Sequence, residues 1–115
     1  MAKSTIPNPL DRRHLIEKDL SDTQALGIAE TYLAADRPVE AVDFFAKAHA
    51  RERLAELRSQ AVEAGDVFLL RAVARAMEEP PGRAEWKAIA DAAAAAGKER
   101  YAVEARRQLD RAGDE

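Results

Sequence analysis

Three turn tetrads recur along the chain: Ala35-Asp36-Arg37-Pro38, Ala64-Gly65-Asp66-Val67 and Ala96-Gly97-Lys98-Glu99. Each ends one apolar-periodic stretch and starts the next, and their spacings are 29 and then 32 residues. A period in this range marks stacked helical hairpins. One hairpin cannot bury both faces of its helices; stacking against neighbours buries the remainder, and about three repeats suffice for stability.

The stretches between the turns read as helices. Asn8-Pro9 is a helix start, because asparagine caps and proline fits a first turn where its missing N–H is not needed. That short helix runs to about Lys18. Ser21, with Gln24 three residues on, forms a capping box for a second helix, whose stripe is Leu26, Ala29 and Leu33 with Ile28 and Tyr32 beside it. Pro38 starts a third helix, with Glu40 near its positive end and Ala41, Val42, Phe44, Phe45 and Ala48 as its apolar set. A fourth begins near His49 or Ala50, carries Leu54, Leu57, Ala61 and Ala64, and stops at Gly65 in a left-handed conformation. Asp66 caps the fifth, VFLLRAVARAM, which ends before the punctuation Glu78-Glu79-Pro80-Pro81-Gly82. The sixth spans about Arg83 to Ala96, with Trp86, Ile89, Ala90 and Ala93; Gly97 closes it. The seventh covers about Glu99 to Arg111. No useful length alternates apolar and polar residues with period two, so no strand is expected.

Composition agrees. Of 115 residues, 26 are alanine and only 5% are aromatic, which favours close-packed helices over sheets. The 47% hydrophobic and 34% charged content is that of a soluble globular chain. The absence of cysteine excludes disulfides, thiol catalysis and thiolate metal sites. No apolar run approaches the ~18 residues of a membrane span, and Met1 to Leu10 lacks an apolar signal core. The expected location is cytoplasmic, without membrane association. The expected division is an N-terminal tail and short capping helix over 1–20, a repeat domain over 21–112 with hairpins at about 21–49, 50–79 and 83–112, and a polar tail at 113–115 that frays.

The stretch IAETYLAADRPVEAVDFFAKA resembles a tetratricopeptide repeat. Ile28 and Ala29 stand for the large-small pair of that family's first helix and Tyr32 for its tyrosine. Ala41, Phe45 and Ala48 stand for the small-aromatic-small set of the second helix. Small residues let two helices approach closely, and the aromatics fill the gap beside them. In the third hairpin Trp86, Ile89, Ala90, Gly97 and Ala102 match, but Arg106 replaces an aromatic. In the middle hairpin Leu54, Leu57 and Gly65 match, whereas Arg58 replaces a small residue and Leu70 an alanine. A divergent tetratricopeptide-like chain and another α-hairpin solenoid both fit these departures. The expected fold is all-α: about seven short helices, with three stacked antiparallel hairpins in a small right-handed superhelix. VFLLRAVARAM is apolar nearly all round and is expected to be covered on most sides, as in mid-array. The last helix, with a narrow stripe of Ala102, Ala105 and Leu109 among charges, is expected to be a solvated cap.

Chemistry-bearing patterns are sparse. His14 and His49 are the only histidines and make a poor metal set, and no triad spacing surrounds His14. The 21 carboxylates read as solvated helix faces, with none placed on an apolar stripe. The five glycines form no phosphate-binding loop. No metal, cofactor or catalytic residue is therefore expected. Arg71 and Arg75 share a helical face: either their stems lie over the core while their heads reach Glu78 or Glu79, or they contact an anion or peptide carboxylate. Arg100, Arg106, Arg107 and Arg111 are interleaved with acids, and the chain's net charge is −3, so nucleic acid is not an expected partner. Ala92 to Ala96 read as a helix packed closely on both sides, or as a bare small-residue surface.

Stacked hairpins form a superhelix with a concave face. The tetratricopeptide resemblance implies that first helices line it and hold a peptide. Carried over by position, the groove would comprise Leu26, Glu30, Leu33, Ala55, Ser59, Val62, Lys87, Asp91 and Ala94. Glu30, Ser59 and Asp91 stand where a chaperone-tail clamp would have asparagine, so that ligand is not expected. The expected function is a non-catalytic module binding a protein or peptide; the alternative is a self-associating structural protein forming a homo-oligomer.

Overall fold

A computed structural model describes residues 9–17 and 19–113. The expected tail before Pro9, the Asn8 cap, the helix end at Lys18 and the last two residues of the polar tail lie outside them. The described residues are helical, with no strand: α1 (Pro9–Glu17), α2 (Asp22–Ala34), α3 (Pro38–Lys47), α4 (Arg51–Ala64), α5 (Val67–Met77), α6 (Arg83–Ala95) and α7 (Glu99–Gly113). They fall into two compact units, the division lying within α4 after Leu54.

In the first unit α2 packs on α3 and α1 touches α3. The capping box forms as expected: Ser21 Oγ accepts from Gln24 N–H at 3.1 Å, and Gln24 Oε1 accepts from Ser21 N–H at 3.0 Å. On α2, Ala29 and Tyr32 are buried as expected and Ala25 joins them, while Ile28 and Leu33 are half-buried. Leu26 instead faces outward at 37% exposure, because Ala25 takes the i−4 place below Ala29. On α3, Ala41, Val42, Phe44 and Phe45 are all buried, as is Ala48 at its C-cap, as their spacing requires. Tyr32 and Phe44 stack with ring centroids 5.6 Å apart, filling the space that the alanines leave open. Arg37 lies over the Tyr32 ring and Arg53 over the Phe45 ring, each at 5.4 Å.

The second unit holds the rest of α4 and α5, α6 and α7. α4 and α5 run antiparallel, since Arg58 Nη1 reaches Met77 Sδ at 3.8 Å across the turn at Gly65. α6 packs on α7. The two hairpins then stack like on like. Arg58 of α4 pairs with Glu85 of α6 and Gly65 abuts Ala93, while Arg71 of α5 pairs with Glu104 of α7. Trp86, Ile89, Ala90, Ala93, Ala102 and Ala105 are buried as expected, but Ala64 is exposed. α5 is less covered than its composition suggests: Phe68 stands 61% exposed beside Arg71 and Arg75, so one face of this helix is bare. Of the alanine run only Ala93 is buried; Ala94, Ala95 and Ala96 are exposed, so the helix is closely packed on one side alone.

One local device repeats at each connection from α2 to α7. Asp36, His49, Gly65, Glu78 and Gly97 all adopt positive φ, between 55° and 74°. The next residue's N–H then donates to the carbonyl five positions back: Arg37 to Tyr32, Ala50 to Phe45, Asp66 to Ala61, Glu79 to Ala74 and Lys98 to Ala93. This is a Schellman closure, which satisfies carbonyls that a helix end leaves open. Only two of the five left-handed positions are glycine, so three side chains hold a conformation that costs ~1–2 kcal/mol in an ordinary residue.

Gly65 does more than turn the chain. A Cβ on it would lie 2.5 Å from Ala93 Cα and 2.6 Å from Ala93 N, both backbone atoms of α6. Lys98 Nζ donates to Ala64 O at 2.7 Å at the same junction, satisfying a terminal carbonyl of α4.

Candidate functional site

α5 buries Val67, Leu69, Leu70, Val73 and Ala74, and this leaves Arg71 and Arg75 one turn apart on its outer face. Their heads do not share one fate. Arg71 Nη2 donates to Glu104 Oε1 on α7, and the Arg71 guanidinium lies 5.9 Å from the centroid of the Trp86 ring on α6. Glu104 also accepts from Gln108 Nε2 at 3.0 Å and lies 3.6 Å from Arg107 Nη1. The Gln108 amide first, and then the charge of Arg71, hold the Glu104 carboxyl below its ordinary pKa. Arg71 thus reaches Glu104, 33 residues away, and not the expected Glu78 or Glu79. Arg75 makes no ion pair among the described residues.

These side chains border an open groove of about 540 Å³ in the second unit. Ala74, Pro80, Pro81 and Trp86 form its apolar wall, and Arg71, Arg75, Glu78 and Gln108 its polar rim. The sequence supports this shape locally. The left-handed Glu78 ends α5, and the two prolines hold the connection extended until Gly82 admits the first turn of α6. Trp86, one turn into α6, is then 6% exposed and forms part of the groove wall.

Arg58 and Glu85 make a second paired site: Nε and Nη2 donate to Oε2 and Oε1 at 2.6 and 2.7 Å. Their side chains are 13% and 31% exposed, so this bidentate pair is half withdrawn from water. Hydrogen bonding to Arg58 lowers the Glu85 pKa against the opposing effect of burial, and raises that of Arg58. Against the expectation that the carboxylates form solvated helix faces, Glu85 and Glu104 are half-buried partners of arginines on neighbouring helices.

The positions carried over from the tetratricopeptide groove all lie on first helices. Leu26, Glu30 and Leu33 follow one another on α2 of the first unit; Leu26 is exposed and the other two half-buried. Glu30 is held by Arg53 through bonds of 2.9 and 2.7 Å. In the second unit Ala55, Ser59, Lys87, Asp91 and Ala94 are exposed and Val62 is half-buried. Lys87 and Asp91 face each other at 3.8 Å. His14 is exposed, and His49 Nδ1 lies 3.1 Å from Asp22 Oδ1. Among the described residues no group of three histidine and carboxylate side chains could hold a metal, and no helix is long and apolar enough to cross a membrane.

Trp86, Pro80, Pro81 and Gln108 are not among the site residues expected from sequence, where the tryptophan belongs to an apolar stripe and the prolines to a break between helices. A tryptophan one turn after a Pro-Pro-Gly break is the one local sign that they meet. Neither a family model, nor a curated protein, nor a solved structure matches the chain.

Proposed function

We propose that the chain is a non-catalytic interaction module of the tetratricopeptide-like helical-hairpin kind, binding a peptide or protein segment in a cytoplasmic setting. The observation that carries this reading is the open groove of the second unit, with an apolar wall of Ala74, Pro80, Pro81 and Trp86 and an arginine rim. A cleft of this size takes a few side chains of an extended segment, with apolar contacts for affinity and rim polar groups for orientation. Arg71 is held before any ligand arrives, by Glu104 and by the indole of Trp86. Such preorganisation reduces the ordering cost of binding.

Trp86 is the only tryptophan in the chain, so its emission reports on this groove. Selection of a displayed random dodecapeptide library on the full chain tests the reading. Convergent sequences whose synthetic peptides alter Trp86 emission are the expected result. Failure of any sequence to converge, or convergent peptides that leave Trp86 unchanged, would refute it. If Ala94→Arg abolished their binding while leaving Trp86 silent, the segment would lie along the first helices instead.

Self-association is favoured by a separate observation. Phe68 is 61% and Val103 51% exposed, on α5 and α7 of the second unit. Light scattering decides: a stable dimer at low concentration without ligand, lost on Phe68→Arg, supports assembly over peptide binding.

A further inference from the structure

We propose that the groove binds a peptide segment through an acidic side chain, whose carboxylate pairs with Arg75 while a neighbouring apolar side chain lies against Pro80, Pro81 and Trp86. This rests on the groove being the peptide site and adds the chemistry of what it takes.

The chain as a whole is acidic, with a net charge of −3, yet this groove is lined by two guanidiniums, Arg71 and Arg75, and one carboxylate, Glu78. Glu104 is already engaged by Arg71, Arg107 and Gln108. The remaining positive charge sits on Arg75, which makes no ion pair among the described residues and borders the open side of the groove. Its planar fork matches a carboxylate with two parallel hydrogen bonds. With Arg71 tied to Glu104, Arg75 is the one fork without an ion pair among the described residues that line the groove, which suits one planar carboxylate better than a tetrahedral phosphate that calls for several donors. The wall beside it is apolar, and low local polarity strengthens a charge-assisted bond at its edge. The same wall gives an adjacent apolar side chain a place to leave water. Glu78, on the rim, repels a second acid at that end and so favours acid next to apolar over a run of acids.

The test uses the full chain and the peptide most enriched in the library selection, acetylated and amidated so that its only carboxylates are side chains. Binding is followed by Trp86 emission. Changing the peptide's Asp or Glu to Asn or Gln, or the protein's Arg75→Gln, is expected to weaken binding about tenfold, and the two changes together to cost no more than either. Arg75→Lys, which keeps the charge without the fork, falls between. Arg75 is exposed, and an unchanged urea midpoint for both variants shows that folding is not the cause. Enriched peptides without an acidic residue, or equal affinity for Arg75→Gln and the unaltered chain, overturn the proposal while the groove remains a peptide site. Absence of any peptide that moves Trp86 emission overturns both.

Discussion

Replacing Gly65 and Gly97 by alanine separates two reasons for a glycine. Both adopt left-handed φ, 68° and 74°, after a helix end. A Cβ at Gly97 meets nothing within 4 Å, whereas one at Gly65 falls 2.5 Å from Ala93 Cα, 2.6 Å from Ala93 N and 3.0 Å from Ala92 C. Those atoms are α6 backbone, which cannot rotate aside, so the helix must move by about an ångström to restore ordinary contact. Gly97→Ala costs the left-handed strain, ~1–2 kcal/mol, partly offset by a less mobile unfolded chain, for a net of ~1 kcal/mol. Gly65→Ala adds overpacking of ~1–3 kcal/mol and totals ~2–4 kcal/mol. For a chain of this size the difference corresponds to roughly 4 °C of Tm per kcal/mol. Asparagine sharpens the comparison because it tolerates the left-handed region. Gly97→Asn stays within ~0.5 kcal/mol of the original, while Gly65→Asn keeps the full clash. Urea unfolding of the four variants, followed by circular dichroism with the m-values compared, measures the set. Equal losses for Gly65→Ala and Gly97→Ala, within ~0.5 kcal/mol, would show that α4 and α6 do not approach closely at this turn and would refute the reasoning.

Two further consequences concern the connections and the half-buried Arg58–Glu85 pair. Glu78 holds φ 57° with no glycine, so Glu78→Gly is expected to stabilise the fold by about 1 kcal/mol, and Asp36→Gly by less because aspartate tolerates this region better; urea midpoints check both, and a loss for Glu78→Gly contradicts the strain argument. The Glu85 pKa is lowered in the folded state, so its contribution is present above the carboxylate's unfolded pKa and disappears as pH falls through the folded value. Stability of the chain should therefore drop more steeply below about pH 5 than that of Glu85→Gln, and a double-mutant cycle with Arg58→Met at pH 7 should give a coupling of about 1–2 kcal/mol; parallel pH profiles would exclude the pair as a source of stability.

The middle hairpin shows how a departure from a pattern was explained by a long-range partner. Arg58 stands where the resemblance calls for a small residue, and sequence offers no reason for it. The structure supplies one: Glu85, 27 residues later on the next first helix, and the sulfur of Met77 accept its guanidinium. Arg71 and Glu104 likewise belong together only because α5 lies beside α7. Pairs of this kind leave no periodic trace, since neither member needs a local neighbour to satisfy it.

The helices themselves were legible because their causes are local. A capping serine with glutamine three residues on, a first-turn proline, an aspartate cap and glycine stops act within one turn of the residues they affect; α2, α3 and α5 begin, and α4 and α6 end, accordingly. The burial of Phe44, Phe45, Trp86 and Ile89 also followed from spacing, because apolar side chains on one helical face must leave water together. Tertiary structure alone decided which alanines are covered, which arginines are paired and that Trp86 joins two prolines in a groove. Those outcomes depend on distances between segments far apart in the chain, and the physics that sets them is the packing of whole helices, not the preference of any residue within one.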